Sequence, residues 1–300
     1  MGHDHGHGSA ATAHRWRLQI AFGLVAAFFV VELGSGLLAR SLALISDAGH
    51  MAADVVALGA ALVATRIATR PDATGRRTYG SYRAEVFASG IAVLLMLGVS
   101  VYIVIEAIRR FGSAPEVASG TMMLVGALGL VINLICIGLL RNGSEESLTL
   151  KGAYLEVVAD TIGSVGVIAA GVLVRATGDR WWDTVVALAI AVFVALRAIW
   201  LGREVLAVLG QHAPKDVDPH EVAGALEEVA DVAEVHDLHL WTLTSGMSVA
   251  TAHLVTTPGP ADAHRILTDA GALMRERFGI EHATIQVEPP DSSACSRTSW

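Results

Sequence analysis

A chain of 300 residues that is 53% hydrophobic and only 17% charged, with a mean hydropathy of +0.53, is too apolar for an ordinary soluble protein and describes one that lives in a bilayer. The net charge of −8 is concentrated at one end: from residue 213 onward there are 14 acidic and 5 basic residues, a balance of −9, while the rest is nearly neutral. Such acidity argues against nucleic acid as a partner and suits cations, and two cysteines, Cys136 and Cys295, supply neither a disulfide framework nor a soft thiolate metal site.

In chain order, residues 1–16 form a polar tail in which His3, His5, His7 and His14 alternate with glycine and aspartate. That composition predicts a disordered, metal-collecting stretch. It lacks the short apolar core of a secretory signal, so none is expected. A transmembrane domain is expected over 17–209, because six apolar stretches of spanning length follow at about 17–38, 42–66, 84–108, 118–140, 152–174 and 182–209. Arginine and lysine flank one side of these spans roughly twice as often as the other, which predicts a cell-membrane protein with both termini in the cytoplasm.

The first span carries Glu32, as consistent with a packing hydrogen bond as with a role in an ion path. The link from Arg66 to Arg83 contains Pro71, Gly75 and Gly80 and reads as a loop. Spans three and six read as mainly structural, with Glu106 placed to pair with Arg109 and Arg110 at a membrane edge. Asn133 is expected to hydrogen-bond across helices, and Gly163, Ser164 and Gly166 to permit close helix approach.

Past residue 213 the pattern changes. Asp218-Pro219 caps and opens a helix to about Val229. Val235–Thr244 and Met247–Thr256 alternate around Ser245-Gly246 as a hairpin, a helix covers about Pro260–Phe278, and a strand covers His282–Glu288. The order αββαβ predicts a small ferredoxin-like α+β cytoplasmic domain over 213–290, with a loose tail at 291–300.

The chemistry concentrates in spans two and five. His50 and Asp54 are four residues apart, as are Glu156 and Asp160, so each pair lies on one helix face about 6 Å apart along the axis. A charge at mid-membrane costs roughly 2.5–3.5 kcal/mol even on lenient insertion scales. One neutral histidine cannot offset three carboxylates in low dielectric, so a metal ion or protons must neutralise them. Imidazole with carboxylates suits a borderline divalent ion such as zinc, and because ligands must be deprotonated, ion entry expels protons. The rivals are a proton-only relay, a membrane metal sensor or scaffold that binds without transporting, and an intramembrane metalloenzyme. An enzyme is not expected, since the chain has no His-Glu-x-x-His; nor is an ATP-driven pump, since it has no Walker-type loop. No organic cofactor is implied.

At this point the sequence resembles the cation diffusion facilitator family, of the zinc-transporter type. The resemblance covers residues 1–290 and is carried by the His-rich start, Ser41-Leu42-Ala43-Leu44 leading to Asp47-Ala48-Gly49-His50-Met51, and Gly163-Ser164-Val165-Gly166. It continues in Val235-His236-Asp237-Leu238-His239-Leu240-Trp241 and in Glu281 to Glu288. It implies a six-span homodimeric antiporter that moves zinc or a similar divalent ion out of the cytoplasm in exchange for protons, by rocking between two open states.

By position the family's transport site falls on His50, Asp54, Glu156 and Asp160. Zinc members usually carry histidine where this chain has Glu156, so a loaded cage would be formally about −1 by the charges of its side chains. Zinc is favoured, with cadmium as a companion ion and cobalt, manganese or iron as the alternatives. The resemblance also implies dimerisation and regulatory zinc in the cytoplasmic domain, with His236, His253, His264, His282 and Glu288 as its ligands. Alternation puts His282 and Glu288 on one strand face and His239 opposite His236. Gln286 stands where some members have a further histidine, and Arg83 lacks an acidic partner in Val208-Leu209-Gly210-Gln211.

Overall fold

The computed structural model describes residues 15–67, 75–110, 116–141, 148–244 and 246–290; within these, most side chains of 57–67 and those of Arg15, Arg17, Leu18 and 148–153 lie outside the description. The N-terminal histidines, Pro71, Cys295 and the tail at 291–300 therefore fall outside the described residues.

Six long helices come first: α1 (Arg15–Ala39), α2 (Leu42–Ile67), α3 (Arg83–Arg109), α4 (Ser119–Arg141), α5 (Leu148–Thr177) and α6 (Trp181–Leu209). Among the described residues, five of them have both the length and the apolar composition to cross a membrane. The remaining helix, α2, runs 26 residues, about 39 Å at 1.5 Å per residue. The chain is a multi-pass membrane protein. Its helices turn large apolar residues outward, with Leu38, Leu94, Leu124, Ile162 and Leu196 exposed, as lipid contact requires. Inside, Val25, Phe28, Leu42, Met122, Leu140 and Val167 form one close-packed cluster.

Small residues set the helix spacing. A Cβ on Gly129 of α4 would stand 2.6 Å from Phe28 Cζ and 3.0 Å from Ser164 Oγ, so α1 and α5 can approach α4 only because no side chain is there. Four residues on, Asn133 Nδ2 donates to Ser164 Oγ at 3.3 Å across the α4–α5 contact. Ser46 and Ser100 hydrogen-bond to the α6 carbonyls of Ala187 and Ala191.

One buried carboxylate pins the start of α2. Asp183 of α6 is 0% exposed. Its Oδ1 accepts from Ser41 Oγ at 2.6 Å and from the Ala43 N–H at 3.2 Å, and its Oδ2 accepts from the Leu42 N–H at 2.7 Å. These are donors that the first turn of a helix leaves unsatisfied. Arg110 Nη1 stands 3.8 Å from the same carboxylate, also donates to the Arg40 carbonyl, and its Nε pairs with Glu106 at 3.1 Å.

The chain divides into two compact units at Arg203/Glu204, within α6. The second contains α7 (Pro219–Glu227), β1 (Val232–Thr244), β2 (Met247–Thr256), α8 (Ala263–Phe278) and β3 (His282–Glu288). This is the expected αββαβ order. Asp218 caps α7 with Pro219 at its first position, as expected. Helix α8 starts later than its sequence suggests because Asp262 accepts from the His264 and Arg265 N–H groups, fixing the cap there. Strands β1 and β2 pair antiparallel, β2 and β3 parallel, and α8 supplies the crossover a parallel pair needs. Ile266, Ala270 and Met274, at i, i+4 and i+8, carry α8 onto Leu240, Ala252 and Leu254 of the sheet.

Candidate metal centre

His50 and Asp54 lie one turn apart on α2, and Asp160 projects from α5. All three are buried, at 3%, 7% and 3% exposure. His50 Nε2 is 3.6 Å from Asp54 Oδ2 and 3.2 Å from Asp160 Oδ1. One donor atom from each residue falls within 4.8 Å of the others, a spacing that a single ion can bridge. Asp54 Oδ2, Asp160 Oδ1 and His50 Nδ1 are buried without a hydrogen-bond partner of acceptable geometry. Buried polar atoms ordinarily have one, and a cation placed among these three residues would give it to them.

Glu156 does not join this group. One turn before Asp160, its carboxylate is taken by Arg197 of α6, whose Nη2 donates to Glu156 Oε2. Arg197 Nη1 lies 3.0 Å from His50 Nε2. The sixth helix is therefore more than a packing element: it brings a cation against His50 of α2 and Glu156 of α5. The signal was present in the sequence as an arginine in the middle of an apolar run, in a chain whose spans carry more buried acids than bases to match them.

Two more carboxylates lie nearby. Glu32 on α1 and Asp47 on α2, one turn before His50, are 1% and 2% exposed, and Glu32 Oε2 has no hydrogen-bond partner. The Asp47 carboxylate fits where Gly163 of α5 has no side chain; a Cβ there would fall on Asp47 Oδ1. This is the close approach that Gly163 was expected to provide.

In the second unit, His236 of β1 and His253 of β2 are register partners, with rings 5.2 Å apart at 79°. Both meet Glu288 at the end of β3: His236 Nε2 is 3.3 Å from Oε2 and His253 Nδ1 is 2.9 Å from Oε1. Gln286 Nε2 donates to the same carboxylate at 2.8 Å. Asp237 completes a three-residue group with the two histidines. Sequence reading passed over it because strict alternation turns it away. A bulge between His236 and His239, with Asp237 at φ 48°, breaks that alternation. The same bulge corrects the expectation for His239: paired with Thr251, it returns to the His236 face, where it is exposed. His264, in the first turn of α8, and His282, opposite Val249 at the start of β3, are exposed and lie outside the three-residue group. On β3, His282 is exposed and Glu288 is buried at the opposite end of the strand.

Known proteins match along nearly the whole chain. Residues 18–209 match the cation efflux transmembrane domain, and residues 214–290 match the cation efflux protein cytoplasmic domain. The metal cation efflux system protein CzcD of Cupriavidus metallidurans is 42% identical over 96% of this chain and 90% of its own. The zinc transporter ZitB of Escherichia coli is 35% identical over 96% and 93%. The cadmium, cobalt and zinc/H(+)-K(+) antiporter of Bacillus subtilis is 32% identical over 96% and 92%. These relatives are metal transporters and not enzymes. The chain belongs to the cation efflux, or cation diffusion facilitator, family.

Proposed function

We propose that the protein is a proton-coupled antiporter that exports divalent cations, zinc above all, from the cytoplasm, with His50, Asp54 and Asp160 as the core of its transport site and Glu156, still paired with Arg197, as a fourth ligand. The reading rests on one observation: an imidazole and two carboxylates, buried in a membrane domain, converge within 4.8 Å while leaving polar atoms unpartnered. A divalent ion satisfies all three donors at once. One imidazole nitrogen with carboxylate oxygens favours zinc over the harder manganese. Relatives named for zinc, cadmium and cobalt support that range.

Proton coupling follows from the ligands. Each must lose its proton to bind the ion, so a proton arriving from outside displaces the ion and an ion arriving from the cytoplasm displaces protons. Both termini face the cytoplasm in this reading, and the molecule works as a homodimer whose second unit associates with its partner copy. His236, His253, Asp237 and Glu288 hold a regulatory ion there, offsetting local acidity and drawing the two copies together.

The test is zinc, cadmium, cobalt and manganese uptake into everted vesicles under an imposed pH gradient. Zinc uptake that collapses with the gradient, and is abolished in Asp54→Asn and Asp160→Asn, is expected. Uptake at the parent rate in both variants would refute the site.

A further inference from the structure

We propose that Arg197 is a tethered counter-cation of the transport site: paired with Glu156, it lets the two side chains take the electrostatic place of a neutral fourth donor, and its guanidinium must leave His50 Nε2 for the ion to load. This deepens the reading of His50, Asp54 and Asp160 as ion ligands and rests on it.

Charge is the first argument. Asp54, Glu156 and Asp160 bring three negative charges and a divalent ion brings two positive ones. Arg197, whose guanidinium stays charged throughout the physiological range, supplies the missing one. A histidine in place of Glu156 would reach the same balance without any arginine. Glu156 and Arg197 are therefore a matched pair, and either alone leaves the loaded cage charged in low dielectric.

Geometry is the second. The fork of Arg197 reaches two targets, Nη2 on Glu156 and Nη1 at 3.0 Å from His50 Nε2. That nitrogen also faces Asp160 Oδ1 at 3.2 Å and Asp54 Oδ2 at 3.6 Å. With its lone pair available it receives Arg197; with a proton it serves the carboxylates. It cannot do both. An ion bound there satisfies the nitrogen and both oxygens, and it needs the place against Nε2 where Nη1 stands. Arg197 sits on α6 while the ligands sit on α2 and α5, so loading the ion changes how α6 is held against its neighbours.

The test is zinc uptake by proteoliposomes of the full-length protein, comparing the parent with Arg197→Leu, Glu156→His, the double variant and Arg197→Lys. Each of the two unpaired single changes is expected to raise the zinc KM by about tenfold or more, a modest share of the coupling seen for close charge pairs. The double variant is expected to return to within about threefold of the parent, because charge is balanced again. Arg197→Lys, keeping charge without the fork, should fall between parent and Arg197→Leu. Losses that simply add in the double variant, or an Arg197→Leu protein with parent kinetics, would overturn the proposal. If Arg197→Leu does not fold, a folded and transporting double variant supports the pairing, and a double variant that stays unfolded overturns it. Asp160→Asn in parallel separates the two readings. Parent-like transport in that variant removes the site itself, whereas its loss alongside parent-like Arg197→Leu removes only the role of Arg197.

Discussion

Replacing Asp183 tests whether the transport helix is positioned from its end. In Asp183→Ala, the Ser41 hydroxyl and the Leu42 and Ala43 N–H groups lose their acceptor at a site with no solvent exposure. Each orphaned buried donor costs about 1–3 kcal/mol. Local rearrangement and the remaining helix-start contacts recover part of that, so about 3 kcal/mol in total is a conservative expectation. For a domain of this size, that corresponds to an apparent Tm lower by roughly 6–12 °C. Asp183→Asn should be milder but not neutral. Its carbonyl can replace Oδ1, which serves Ser41 and Ala43, but its amide then faces the Leu42 N–H, donor against donor. About half the loss is expected.

The functional consequence is a separate readout. His50 lies eight residues beyond Leu42, about 12 Å down the helix, so slippage at the start of α2 moves His50 relative to Asp160 on α5. Thermal unfolding of detergent-purified protein measures the first effect, and the zinc KM in proteoliposomes the second. An Asp183→Ala protein that melts within about 1 °C of the parent and transports zinc with an unchanged KM would refute the reasoning, since donors worth a few kcal/mol cannot vanish silently. So would an Asn variant no better than Ala.

Three other perturbations address different parts of the molecule. Gly163→Ala places a methyl on Asp47 Oδ1; overpacking of this kind costs about 1–3 kcal/mol, so a lower Tm and a raised zinc KM are expected, and a neutral result would mean that α5 can move away freely. Zinc binding should weaken as the pH is lowered, because imidazole and carboxylates hold a metal ion only when deprotonated; equal zinc binding at acid and neutral pH, measured by calorimetry on detergent-solubilised protein, would contradict that. Glu288→Gln removes the carboxylate shared by His236 and His253 and, in full-length protein carrying Asp160→Asn, should lower the remaining zinc affinity by at least the roughly tenfold lost when even an orienting partner of a ligand is removed.

Much of this was legible because lipid makes sequence unusually informative. An apolar run of spanning length has few alternatives to a helix, and carboxylates four residues apart within such runs have little reason to be there except to share a cation. The last strand, His282–Glu288, was legible to the residue for a similar reason: alternation between loop signals is a short and well-bounded pattern. What alternation could not show was the bulge in β1, because the left-handed conformation of Asp237 leaves no mark in the pattern of apolar residues.

Arg197 was missed for a different reason, and the reason bears on mechanism. An arginine in a span reads as an edge residue that snorkels to the headgroups, and nothing local distinguishes Arg197 from Arg203 six residues on. Its meaning depends on Glu156, 41 residues away, and on a charge count over three helices. The count was available: three carboxylates and a divalent ion leave one negative charge unbalanced, and a helix bundle in low dielectric does not leave such a charge alone. A departure from the expected ligand in one helix is therefore a reason to look for a compensating charge in another, and here the compensation is the group that stands against His50 Nε2, where the ion would bind.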